Sequence, residues 1–405
     1  MFYFVKQDMG DLKALIPDYI IYFTVLVTGL AFHLLIASGL RYLSRFPENH
    51  GGKPVGLHPE LLMKPLIAVT MGDASGIGPE ISVKAVLKEE IQDICRVIII
   101  GDAGVLEKQS SGTRSNCTGI TETGIRRINE PGEAKHRKNI IDVLDLKLPG
   151  MDGIEMGKAS AITGKASVEY VKKAVQMALN KEVSAIVTAP WCKESVFMAG
   201  NKFTGHTEFI AELAGVKDFA MMIAGGSMRT VLVTGHLPLN EVSKNLNEDK
   251  IYRVIMLTNN SLKELFGNAV RIAVTGLNPH TGENGILGKE EKDIIRPAVE
   301  HARREGVNVN GPIAADKVIY DTAGSRYDVA VVMYHDQALI PVKLLAFNRS
   351  INVTLGLPFI RTSPCHGTAF DIAGKNMADP RSMIEAIKFA VKNEKTLGTK
   401  FSCRP

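Results

Sequence analysis

The sequence predicts an α/β protein. Three observations carry that reading: short apolar, β-branched runs recur along the chain, helical patterns separate them, and Gly- and His-bearing motifs follow directly on the runs. The runs are 66–70, 97–100, 185–188, 230–234, 272–275 and 329–333. Each is nearly all apolar and bounded by Gly, Pro or a polar residue, as strands of a largely parallel sheet buried on both faces are. Helical patterns occupy 79–90, 168–180, 208–213, 290–305 and 381–393. Pro79 suits a first helical turn, and the acids of 290–293 suit a helix start. Such alternation places helices over the sheet. Residues 108–152 are polar and irregular and read as a variable excursion.

At 405 residues the chain exceeds one ordinary core, and two domains are expected. A composition of 45% hydrophobic and 22% charged residues excludes disorder, collagen and coiled coil as the dominant class. Its 48 basic and 43 acidic residues give a net charge of +5 without an arginine-rich arm, which argues against a nucleic-acid partner. The 5 cysteines are scattered and form no CxxC pair, so neither a disulfide framework nor a cysteine zinc site is expected, and a reducing, cytoplasmic setting fits. Residues 19–40 carry no formal charge. As a helix they would span roughly 33 Å, enough for a bilayer core, so they are a candidate transmembrane helix and membrane tether. The competing readings are a remnant of an upstream protein or a misplaced start. Residues 47–59, rich in Gly, Pro and His, read as a linker, and Met63 opens a clean start for a soluble strand.

The chemistry concentrates after the strands. Run 230–234 leads to His236, run 272–275 to His280 and run 329–333 to His335. In open α/β sheets the C-terminal strand edge is where ligands bind. Three neutral imidazoles with an open position would make a catalytic metal site, best suited to zinc, cobalt or iron, with magnesium a poorer match. One such histidine alone is more commonly a hydrogen-bonded loop residue. His206 and Thr207 open a short helix, where they read either as a cap cluster, with Thr204 or Thr207 capping, or as a polar substrate contact. Lys343 and Arg361, with Asn352 upstream of the latter, could grip a phosphate or carboxylate. The loop MGDASGIGPE (71–80) can offer backbone N–H groups to an anion, but it lacks the dinucleotide fingerprint: Ile81 stands at the third glycine position and Pro79 removes a donor. A P-loop at 282–289 fails on Glu283 and Glu290.

From Met63 to about Asn393 the chain resembles the 4-hydroxythreonine-4-phosphate dehydrogenase family of pyridoxal phosphate biosynthesis. The motifs, in order, are MGDASGIGPE, FTGHTEFIAELAG, TGHLPL, TGLNPHTGENG, NGPIAADKV, MYHDQALIPVK and NVTLGLPFIRTS. The resemblance implies a fold similar to isocitrate and isopropylmalate dehydrogenases, with two α/β domains around a cleft: 63–196 with 362–405, and 197–361 carrying the metal and the dimer interface. It implies a homodimer whose active sites use residues of both subunits. It implies that His236, His280 and His335 bind a divalent metal (zinc, cobalt or magnesium), and that His206, Thr207, Lys343, Asn352 and Arg361 bind substrate. NAD or NADP is implied by resemblance alone, with no cofactor residues or general base assigned. One departure is Cys365, before His366, where the family commonly has Asp. Trp191 and Cys192 are also unusual.

The expected reaction is oxidation of 4-phosphooxy-L-threonine to a β-keto acid that decarboxylates to 3-amino-2-oxopropyl phosphate. A sister activity on 4-phospho-D-threonate or 4-phospho-D-erythronate uses a similar site. Two other classes remain to compare: a phosphate acyltransferase, which has no use for a trihistidine site, and a non-catalytic, membrane-tethered binding protein in which Cys365 marks lost activity.

Overall fold

The computed structural model describes residues 64–113, 124–202 and 205–398. The candidate span 19–40 and the linker 47–59 lie outside them. Among the described residues no helix is long and apolar enough to cross a membrane. The described residues belong to one unit, Leu57–Pro405.

A 12-stranded sheet runs through this unit in the order β3-β4-β2-β1-β5-β12-β11-β6-β7-β10-β8-β9. In the chain these strands are β1 Leu66–Thr70, β2 Arg96–Gly101, β3 Gly124–Ile128, β4 Ile140–Asp145, β5 Ala185–Thr188, β6 Ala220–Gly225, β7 Met228–Leu232, β8 Ile272–Thr275, β9 Val309–Ile313, β10 Val329–Val332, β11 Ile351–Leu355 and β12 Ile360–Pro364. Two parallel blocks are joined by three successive antiparallel pairings, β12 with β11, β11 with β6 and β6 with β7. The block β7-β10-β8-β9 therefore points opposite to β3-β4-β2-β1-β5-β12. The central strands β1, β5, β8 and β10 are almost wholly buried, which is why uninterrupted apolar runs encode them.

The helices are α1 Gly78–Val86, α2 Ala103–Thr113, α3 Ala161–Leu179, α4 Lys193–Met198, α5 His206–Leu213, α6 Glu248–Phe266, α7 Arg296–Arg304, α8 Ala315–Ala323, α9 His335–Ala346 and α10 Arg381–Gly398. Pro79 sits in the first turn of α1 as expected. Ser160 caps α3 by accepting from Thr163 N–H, and Asn247 caps α6 from Lys250 N–H. The main core spreads along most of the sheet, while a second cluster (Met228, Val318, Ala330, Val332, Ala338 and Val342 among it) packs α8 and α9 against β7 and β10.

Two sequence expectations are corrected. The stretch 108–152 contains a full strand pair, β3 and β4. Its polarity misled because buried Asp142 of β4 is met by the Arg126 guanidinium of β3 and the backbone N–H of His136. The acids at 290–293 do not simply start a helix. Glu291 turns back into the loop before it, accepting from Leu277 N–H and Asn278 N–H at 2.8 and 2.7 Å.

Candidate active site

The site has a buried half and an exposed half. The buried half centres on Arg361, the second residue of β12, which is 1% exposed. Its Nη1 donates to Thr354 Oγ1 of β11 at 3.0 Å and to Thr207 Oγ1 of α5 at 3.3 Å, and its Nη2 donates to Thr188 Oγ1 at the end of β5 at 2.8 Å. Its Nε is buried without a partner. Burial lowers its pKa to about 10, opposed by the charge of Glu208, so it remains a cation at neutral pH. A buried guanidinium held by three neutral hydroxyls and no bonded carboxylate is a receptor for an anion.

His206 stands beside it at the first position of α5. Its ring stacks on Trp191, with centroids 3.9 Å apart and planes 16° apart, and Trp191 in turn stacks on Phe209 at 5.8 Å. Burial, with Arg361 next, pushes the imidazole well below its ordinary pKa, so it is neutral, and its Nε2 is buried and unpartnered. The cap of α5 is Gly205 without a side-chain bond. Thr207 thus serves Arg361 rather than the helix start, and Thr204 lies outside the described residues.

The exposed half lies past β7, β8 and β10. His236 and His335 face each other with ring centroids 5.5 Å apart. Asp336 Oδ1 is 2.7 Å from His335 Nδ1, which orients the ring and leaves Nε2 free. Burial lowers the pKa of His236, with Lys193 and His335 adding to this and Glu208 opposing it, so the neutral, metal-ligating form is favoured. The charge of Glu208 acts on both Arg361 and His236.

His280 is exposed in a turn where His280, Thr281, Gly282, Glu283 and Asn284 all have positive φ. Glu291 holds that turn: besides its two backbone acceptances, it accepts from Asn278 Nδ2 at 3.0 Å. A Cβ on Gly282 would meet its carboxylate at 2.6 Å. Among the described residues no group of three or more His, Cys, Asp or Glu converges on one point, so within one chain the structure brings His236 and His335 together and leaves His280 apart.

Of the remaining expected site residues, Asn352 of β11 has a buried, unpartnered Oδ1. Lys343 of α9 lies 5.7 Å over the Phe347 ring, and its charge reaches Cys365 and His366. Cys365 is not an activated thiol: burial raises its pKa, against smaller effects of Lys343 and Ser350.

Four N–H groups of the glycine loop are engaged within the fold. Asp73 N–H donates to Pro190, Ser75 N–H to the Asp73 carboxylate, Gly76 N–H to Asp73 and Ile77 N–H to Thr368. Gly72, at φ +74°, has no room for a Cβ, which would fall 2.3 Å from Pro190 O. Asp73 itself is fully buried.

Sequence reasoning missed Thr188, Thr354, Asp336 and Glu291. Only Asp336 left a signal, its adjacency to His335; the others meet their partners through tertiary packing.

The family model "Pyridoxal phosphate biosynthetic protein PdxA" matches residues 93–390. A 4-hydroxythreonine-4-phosphate dehydrogenase of Desulforapulum autotrophicum is 43% identical over 81% of this chain and 95% of its own length. A D-threonate 4-phosphate dehydrogenase of Cupriavidus necator is 41% identical over 80% and 96%. The crystal structure of 4-hydroxythreonine-4-phosphate dehydrogenase from Klebsiella pneumoniae superposes with a TM-score of 0.73 at 39% identity, covering 82% of this chain and 98% of that one. With that family match and such coverage, the chain belongs to the pyridoxal phosphate biosynthetic protein PdxA family, whose relatives here are dehydrogenases.

Proposed function

We propose that this protein is a metal-dependent NAD(P) dehydrogenase that oxidises the secondary alcohol of a phosphorylated β-hydroxy acid, with 4-phosphooxy-L-threonine as substrate and 3-amino-2-oxopropyl phosphate as the product after decarboxylation. The observation that carries this is the placement of a buried, anion-ready Arg361 beside neutral His206, with the His236–His335 pair past the strand ends and the charge of Glu208 acting on both Arg361 and His236. Arg361, Thr207 and Asn352 would hold the substrate's anionic and polar groups, with Lys343 adding charge. His206, kept neutral, can donate or accept one hydrogen bond without repelling Arg361. His236, whose neutral form is favoured by burial, and His335, 5.5 Å away between ring centroids, would together hold a divalent cation such as zinc or cobalt. When bound, the cation would polarise the hydroxyl and later the keto oxygen as a Lewis acid, and the nicotinamide would take the hydride.

A homodimer completes this reading. Helix α9, which starts at His335, exposes Ile340 and Leu344 at 66% and 84%, and Phe347 in the turn just after it is 71% exposed. Leu239 and Ile286, in the His236 and His280 loops, are also exposed. Such a face fits a second copy of the chain, which would also bring the missing His280 to the pair. The sheet order is consistent with the division into 63–196 with 362–405 and 197–361, since β1 to β5 lie on one side of β12 and β6 to β11 on the other, with the 361/362 boundary falling inside β12.

The sister reaction on 4-phospho-D-threonate is favoured by the Cupriavidus necator relative, nearly as similar as the first. An NADH-formation assay with both substrate classes, both nicotinamides and a metal panel decides. Turnover of neither substrate with any metal would overturn the proposal.

A further inference from the structure

The sheet edge below the histidines carries a hydrogen-bond chain that the proposed chemistry does not use. Thr234, two residues before His236, donates to Met333 O through both its N–H (3.2 Å) and its Oγ1 (2.6 Å). Met333 N–H donates to Gln337 Oε1 at 2.8 Å. The same Oε1 accepts from Thr275 Oγ1 at 3.1 Å, and Gln337 Nε2 donates to Gly276 O at 3.0 Å. Thr234 and Thr275 are 2% and 0% exposed, so these bonds are shielded from water. The chain thus crosses β7, β10 and β8 and ties together the roots of the loops that carry His236, His335 and His280.

We propose that Gln337 is a positioning residue that fixes the spacing between the His335 and His280 loops and thereby sets the affinity of the histidine site for its cation. This rests on the metal reading above. Gln337 has two separable roles. Its Oε1, on the third residue of α9, accepts from the N–H of Met333, one residue before the cap Tyr334, and so ties down the chain entering the helix. Its Nε2 has no part in that tie, and its bond to Gly276 O is what bridges to the next strand. In a two-fold assembly each chain's His280 meets a pair on the partner, so an error in this spacing is felt at both sites.

The separation of roles gives the test. Gln337→Glu keeps an oxygen for Met333 N–H and Thr275, and adds charge where a helix start favours it. It also sets a second oxygen against Gly276 O, breaking the bridge alone. In the full chain, Co²⁺ affinity is measured by competition with a chromophoric chelator, with the visible cobalt spectrum and the melting temperature recorded alongside. The expected result is affinity about 10- to 100-fold weaker, an altered cobalt spectrum, and a melting temperature unchanged or raised. Thr275→Val should weaken Co²⁺ binding several-fold, while Thr275→Ser, which keeps the hydroxyl, should restore it. Wild-type affinity and spectrum in Gln337→Glu would reduce the residue to a tie at the helix entry and overturn the inference, provided His236→Ala still loses the metal. No Co²⁺ binding by the wild-type chain would overturn the metal reading and this inference together.

Discussion

The Arg361 pocket and the histidine edge are parts of one site built on opposite terms. The pocket is buried, neutral but for one guanidinium, and assembled from β5, β11, β12 and α5 of a single chain. The edge is exposed, rich in titratable groups, and holds only two of three histidines together. On the proposed reading, the folded chain alone would determine where an anion sits, while the cation site would need something added. The two halves should fail differently when perturbed.

The largest effect is expected at Arg361. Arg361→Met should lower kcat/KM by about 10³-fold, since losing one member of a buried charge-assisted contact costs roughly 2–5 kcal/mol. Yet the melting temperature should hold or rise, because a buried charge without an ionic partner is poorly stabilising and a well-packed apolar residue often does better. Loss of both activity and stability would mean that Arg361 is chiefly a structural tie, breaking the contrast between the halves.

The histidine edge should respond through metal and partner. His236→Ala and His280→Ala should each weaken divalent-metal binding on the order of 100-fold or more, beyond what orienting groups are worth, and leave the melting temperature nearly unchanged, since both positions are exposed. If the site is shared across a two-fold, mixing the two inactive variants restores one intact site in each mixed dimer, about one quarter of all sites for random pairing. Subunit-exchange titration followed by an activity assay checks this. No recovery on mixing would place all three ligands within one chain, against the separation seen here.

The halves also differ in how they sense acid. His206 is held neutral by burial and by Arg361, so its folded pKa is depressed below 6.5. The unfolded chain takes up that proton first, so the stability His206 contributes is fully present above about pH 6.5 and is lost as pH falls below it. Urea midpoints measured from pH 7 to pH 5 should fall less steeply for His206→Asn than for wild type. Arg361→Met should soften the slope partway, because it removes the second cause of the shift. An unchanged slope in both variants would show that other groups govern the acid limb.

How legible all this was in the sequence follows the same division. Strands β1, β5 and β8 were readable to the residue because both faces are buried and the code is a plain apolar run. Strand β4 was hidden because Asp142 and Asp145 sit inside it, their charges answered by Arg126 and Arg127 from β3. Helix α9 was hidden because Pro341 lies within it and because Ile340 and Leu344 point outward, spoiling the amphipathic pattern. The histidines were visible as residues just past strand ends. The hydroxyls that hold Arg361 were not, since Thr188, Thr207 and Thr354 lie far apart in sequence and are ordinary strand and helix residues until the sheet folds.

The smallest expected effect belongs to Trp191, where the pocket can be sharpened without being broken. Its indole is 8% exposed and flat against His206. Trp191→Phe keeps an aromatic face and most of the buried area, and such ring pairs are worth about 0.5–1.5 kcal/mol beyond area. The change should therefore move KM about threefold at most and leave kcat untouched, because on the proposed reading His206 would position substrate rather than react with it. Trp191 is also the chain's 1 tryptophan, so its emission reports on the pocket directly. Inorganic phosphate should alter that emission in the wild-type chain and leave it unchanged in Arg361→Met. A response that survives the loss of Arg361 would place the anion elsewhere and separate the indole from the substrate pocket.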